Sequence, residues 1–78
     1  MKIQWIKIEA IEPNQRYVCS VDSLEQLADR MREQGQTEPI KVWFTGECFR
    51  ILDGEKRWRA CKRLGLSRVK VIILEMDT

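Results

Sequence analysis

The sequence predicts one small α+β (α/β) domain, ordered strand, loop, helix, strand, strand, helix, strand. Three patterns carry that prediction. Leu24, Leu27, Ala28 and Met31 recur at helical spacing, two β-prone runs flank Thr45-Gly46-Glu47, and Val71–Leu74 is a short unbroken apolar run near the end. A chain of 78 residues is one domain, 1–78, with a thin stability margin. Its hydrophobic share of 44% and charged share of 33% suit a globular chain.

Residues 3–8 (Ile-Gln-Trp-Ile-Lys-Ile) are expected as the first strand. Glu12-Pro13-Asn14-Gln15 reads as a turn or loop. Asp22 is placed as the N-cap of a helix over about 22–34, with Glu25 at capping-box spacing. The apolar stripe is core, with Glu25, Asp29, Arg30 and Glu33 facing water, and Gly35 ends the helix. Ile40–Phe44 and Cys48–Leu52 form a hairpin, across which Trp43 and Phe49 are expected to face each other in the core. A second helix runs from about Glu55 to Leu64 and stops at Gly65. Residues 69–75 make the last strand, with Val71–Leu74 covered on both faces. Trp5, Trp43 and Trp58 are large apolar groups suited to seed one core.

Several function classes fall away on composition. No apolar run reaches the roughly 18 residues needed to span a bilayer, and the N-terminal residues are too polar for a secretory leader, so a cytoplasmic location is expected. Three cysteines (Cys19, Cys48, Cys61) without histidine or a Cys-x-x-Cys give little support to a disulfide framework or a zinc site.

The net charge is only +2, but Arg50–Lys70 carries eight basic residues against two acids, Asp53 and Glu55. Such a segment is either a solvated helix face or a footprint for an anion. The stretch Leu52-Asp53-Gly54-Glu55-Lys56-Arg57 favours an anion. A strand ends, Gly54 permits a sharp bend and close approach, and a helix starts with unpaired N–H groups and a positive dipole end. Lys56 and Arg57 sit in that first turn, where cations oppose the dipole unless an anion is present. Glu55 either favours the helix N-terminus or holds Mg²⁺ beside a triphosphate. Trp58 either stacks a base or packs in the core, and core packing is the expectation.

Gly54-Glu55-Lys56-Arg57-Trp58-Arg59-Ala60 closely resembles the G-E-R-R-(W/Y)-R-A signature of the ParB N-terminal domain, in the ParB/sulfiredoxin superfamily. Leu64-Gly65-Leu66, Val69–Ile72, Gly35-Gln36-Thr37-Glu38-Pro39-Ile40 and Ile11-Glu12-Pro13-Asn14 resemble further segments of that family, so the likeness spans about residues 6–75. It implies a ParB/sulfiredoxin-like fold that binds CTP or another nucleoside triphosphate with Mg²⁺. Gly54, Glu55, Lys56 and Arg57 would hold phosphates, and Gly35, Thr37, Glu38 and Pro39 would line the nucleotide pocket. Arg59 and Arg16 are candidate additional basic contacts. The expected role is a regulatory module in partition or transcription, with hydrolysis weak or absent.

Lys56 replaces the family's first Arg, Glu38 stands where the family has Gln, and the opening N-P-x-Q-P-R is shortened around Arg16. Nothing here corresponds to the family's helix-turn-helix reader or dimerisation domain, so segregation-type DNA recognition is not expected of these residues alone. In sulfiredoxin the corresponding turn is G-C-H-R. Glu55 and Lys56 replace its Cys and His, so sulfinic-acid chemistry is not expected. Two alternatives stay open: a nucleic-acid-binding or nuclease-like protein using residues 50–70 to contact DNA, and a small-molecule phosphotransferase with Glu12 or Glu38 as base. A partner protein on the same segment is a further possibility.

Overall fold

The computed structural model describes residues 2–13 and 21–75. Strand β1 (Lys2–Lys7) leads through a 3₁₀ turn (Ile8–Ala10) into the two-residue β2 (Ile11–Glu12). Helix α1 (Val21–Gln34), β3 (Ile40–Phe44), β4 (Phe49–Asp53), α2 (Glu55–Arg63) and β5 (Arg68–Ile73) follow. The five strands form one mixed sheet in the order β1-β5-β3-β4-β2. Pairs β1/β5 and β3/β4 are antiparallel, while β3/β5 and β2/β4 are parallel.

Strand alternation sends one set of side chains to the helices. Ile6, Ile11, Ile40, Val42, Ile51, Val69 and Val71 meet Ala28 and Met31 of α1 and Trp58, Ala60 and Cys61 of α2 in one buried cluster. Ile40, Val42, Val69 and Val71 are completely buried, and each such side chain contributes about 1.5–3 kcal/mol relative to exposure. Helix α2 packs on both α1 and β3, which brings its N-terminus beside the loop between α1 and β3. Among the described residues, no helix is long and apolar enough to cross a membrane.

The element order is as expected, with local corrections. The expected loop at Glu12 contains β2, because Ile11 pairs in parallel with Phe49 and is buried. Two residues are too few to show a periodicity. The remainder of that expected turn, Asn14 and Gln15, lies outside the described residues, as do Arg16 and Cys19. Helix α1 starts at Val21, so Asp22 sits inside the first turn and serves the dipole there rather than capping the helix. Glu25 pairs with Arg63 of α2 instead of facing water alone.

The hairpin register also differs. Its connection is Thr45–Cys48, held by Thr45 N–H to the Cys48 carbonyl at 2.9 Å. The pairing therefore becomes Phe44 with Phe49, ring centroids 5.1 Å apart, and Trp43 with Arg50. A one-residue slip moves every side chain to the other face.

Only Trp58 of the three tryptophans joins the core. Trp43 is half-buried and Trp5 is 58% exposed. Trp5 lies on the sheet face away from the helices, opposite Lys70, whose ammonium is 5.7 Å from its ring centroid. Both helices occupy the other face, so Val71 is buried and Ile73 packs partly on the core, while Ile72 lies on the open face and, like Leu74, is only half-buried.

Candidate phosphate-binding site

The site grows from the junction of β4 and α2. Gly54 adopts φ 104° and ψ 25°, a left-handed conformation that glycine takes without steric cost. A Cβ there would also lie 3.1 Å from Arg57 Nη1 and 3.4 Å from Ile40 Cα. The bend is thus pressed against both the guanidinium and strand β3. Helix α2 opens at once, and its first intrahelical bond runs from Trp58 N–H to the Gly54 carbonyl at 2.9 Å. Among the described residues no side chain caps it. The N–H groups of Glu55, Lys56 and Arg57 precede that bond, at the positive end of the helix dipole.

Facing this turn is the loop after α1. Gly35 ends the helix with φ 75°, its N–H donating to the Met31 carbonyl at 2.7 Å. Gln36 then ties the loop to the sheet. Its Nε2 donates to the Lys70 carbonyl at 2.7 Å and to the Glu38 carbonyl at 3.0 Å, and its Oε1 accepts the Lys70 N–H at 2.7 Å.

Arg57 crosses between the two segments. Nη2 donates to Glu38 Oε2 at 2.8 Å and Nη1 to the Pro39 carbonyl at 3.3 Å. Beside this contact lies a cavity of about 250 Å³. Its walls are Leu27, Arg30, Met31 and Gln34 from α1, Gly35, Thr37 and Glu38 from the loop, and Arg57 from α2. Arg57 and Arg30 bring two cations to it and Glu38 one acid. Among the described residues Arg30 has no ion pair or hydrogen bond, whereas Arg57 is committed to Glu38.

Of the residues expected to hold a nucleotide, Arg57, Gly35, Thr37 and Glu38 meet at this cavity. Pro39 takes part through its carbonyl, and Gly54 backs the Arg57 guanidinium. Lys56 turns elsewhere and donates from Nζ to Ser23 Oγ of α1, tying the two helices together. Glu55 is buried and its Oε2 accepts from Arg59 Nη2 at 3.1 Å and Nε at 3.3 Å. That carboxylate is paired with Arg59 one helical turn further on. Among the described residues, no three Asp, Glu or Cys side chains gather as a metal site. Trp58 packs in the core with Lys62 Nζ 4.6 Å from its ring centroid.

Leu27 and Met31 are expected in the core and Arg30 in water, yet 27, 30, 31 and 34 share one helix face directly before the loop. That spacing was the signal for a helix-lined wall. Cys61, on the same helix as Arg57, is fully buried. Burial pushes its thiol from 9.0 up to about 11, against the opposing pull of the Arg57 charge. It is therefore a protonated structural thiol, not an activated nucleophile.

The sequence matches the ParB N-terminal domain family over residues 1–78. The chain belongs to that family. This ParB N-terminal domain is 38% identical over 76 residues to a probable chromosome 1-partitioning protein ParB of Deinococcus radiodurans, a match covering 97% of the chain. It spans 26% of that relative's length. Among solved structures, it superposes with a TM-score of 0.87 and 32% identity on the C-terminally truncated ParB of Caulobacter crescentus complexed with CTP-γ-S, covering 99% of this chain and 46% of that one. Sulfiredoxin from Arabidopsis thaliana matches with a TM-score of 0.88 over 97% of this chain and 88% of that one, at 22% identity, a likeness of fold. The α+β, ParB/sulfiredoxin-like architecture expected from the residues is thereby met.

Proposed function

We propose that this ParB N-terminal domain binds a nucleoside triphosphate, with CTP the first candidate, as the ligand-responsive module of a partition or transcription-related protein. The phosphates lie against Arg57 and the uncapped first turn of α2. The nucleoside side enters the cavity walled by Gly35, Thr37 and Glu38, with Pro39 behind them and Arg30 opposite. The observation that carries this reading is a guanidinium projecting from an uncapped helix start into an open cavity. Helix N-termini bind anions through free N–H groups and dipole, and an Arg fork matches phosphate oxygens. The relative from Caulobacter crescentus, whose structure is a complex with CTP-γ-S, adds support for CTP.

The fit has a limit that bears on the ligand. About 250 Å³ is below the roughly 300–1,000 Å³ typical of small-molecule pockets. A nucleotide would therefore lie partly along the open surface. Mg²⁺ would take its oxygens mainly from the triphosphate, since the Glu55 carboxylate is already held by Arg59.

Calorimetry of this domain against CTP, ATP, GTP and UTP, with Mg²⁺ and with EDTA, tests the proposal. One nucleotide should bind saturably, more tightly with Mg²⁺, and Arg57→Ala should abolish the heat. Flat traces with all four overturn it.

A further inference from the structure

We infer that Glu38 is a built-in competitor for the anion at Arg57, lowering the affinity of the site for phosphates. The inference rests on the nucleotide-binding reading. The Glu38 carboxylate already occupies the guanidinium edge that a phosphate would use, with Oε2 2.8 Å from Nη2. Both residues line the same cavity, so the acid and an incoming phosphate contend for one place.

The two partners are unequally free. The Arg57 side chain is 26% exposed, held on its other nitrogen by the Pro39 carbonyl and backed by the Gly54 bend. The Glu38 side chain is 71% exposed and is free to swing outward. An arriving phosphate therefore displaces Glu38 rather than Arg57. Displacement is inexpensive, because exposed ion pairs are worth little. The acid cannot leave the neighbourhood, however. Gln36 pins the backbone of its loop, accepting and donating at Lys70 and donating to the Glu38 carbonyl. A displaced carboxylate stays tethered to a fixed backbone at the cavity wall, and its charge repels the phosphate.

Glu38→Gln separates charge from shape, since an amide oxygen still accepts from Arg57. The probes are inorganic tripolyphosphate and CTP, titrated calorimetrically at fixed ionic strength into the parent, Glu38→Gln, Arg57→Ala and the double variant. Glu38→Gln should bind both probes about tenfold more tightly than the parent. The double variant should bind no better than Arg57→Ala, because the gain acts at Arg57. Equal or weaker binding by Glu38→Gln, with Arg57→Ala still abolishing binding, overturns the competitor role and leaves the site standing. Binding restored to Arg57→Ala by adding Glu38→Gln also overturns it, showing a general charge effect. Absence of binding by both the parent and Glu38→Gln removes the nucleotide reading and this inference together.

Discussion

Gln36 makes a reciprocal pair with the backbone of Lys70, donating to its carbonyl and accepting its N–H, each at 2.7 Å. A side chain here extends β5 sideways as another strand would, and so fixes the loop that carries Thr37 and Glu38. Gln36→Ala leaves a half-buried carbonyl and N–H without these partners. We expect a loss of about 2 kcal/mol in urea unfolding at unchanged m-value. Nucleotide binding should weaken as well, because the cavity wall loses its anchor. Unchanged stability would show that the pair carries no net weight.

Gly54→Ala tests the bend. An L side chain at φ 104° costs about 1–3 kcal/mol, and the added Cβ presses on the Arg57 guanidinium and the β3 backbone. The variant should melt several degrees lower and lose ligand affinity together. A variant that melts lower but binds normally would mean that Gly54 serves the fold alone.

Arg30 and Lys56 should exchange the roles that their positions in the chain suggest. Arg30 lines the cavity and has no partner among the described residues, so Arg30→Ala should change stability by less than about 0.5 kcal/mol. It should weaken triphosphate binding several-fold. Lys56 is committed to Ser23, so Lys56→Ala should cost about 1 kcal/mol of stability with a smaller effect on binding. Chemical denaturation paired with calorimetry separates the two. The reverse pattern would return Lys56 to the phosphates.

Cys61 sets a pH dependence at the alkaline end. Its thiol titrates near 11 in the folded state against 9.0 ordinarily, so the folded chain holds the proton more tightly. The contribution is complete below pH 9 and is lost as pH rises through 11, at no more than about 1.4 kcal/mol per pH unit. Stability of the parent minus that of Cys61→Ala should fall across that window. A flat difference would contradict the buried protonated thiol. The same burial predicts that Cys61 resists alkylation at pH 8 until the chain is unfolded.

The long elements were legible because their patterns exceed one period. Leu24 to Met31 marks α1, and Gly54 with the charged turn after it marks the start of α2. Short or cross-chain features were not. β2 is two residues long, and its partner Phe49 lies far along the chain. Trp43 and Phe49 were misassigned because hairpin register depends on the Thr45–Cys48 connection. At the site, the Gly54 bend and its charged turn pointed to Arg57, the family resemblance alone pointed to the loop after α1, and the structure brings the two to one cavity. Residue type could not show that Lys56 reaches Ser23 or that Glu55 is held by Arg59, since those outcomes depend on how α1 and α2 dock. Arg30 was missed because an exposed arginine on a helix looks the same whether it borders water or a cavity.

The pairing of β1 with β5 has a consequence for synthesis on the ribosome. Lys2 lies opposite Ile73, so β1 gains its neighbour in the sheet only after the whole span between it and β5 has been made. Until then Ile6 lacks Val69 beside it, and the nascent sheet presents an unpaired edge at β3 as well. This closure, of long sequence separation, should be among the slower steps in the folding of the domain.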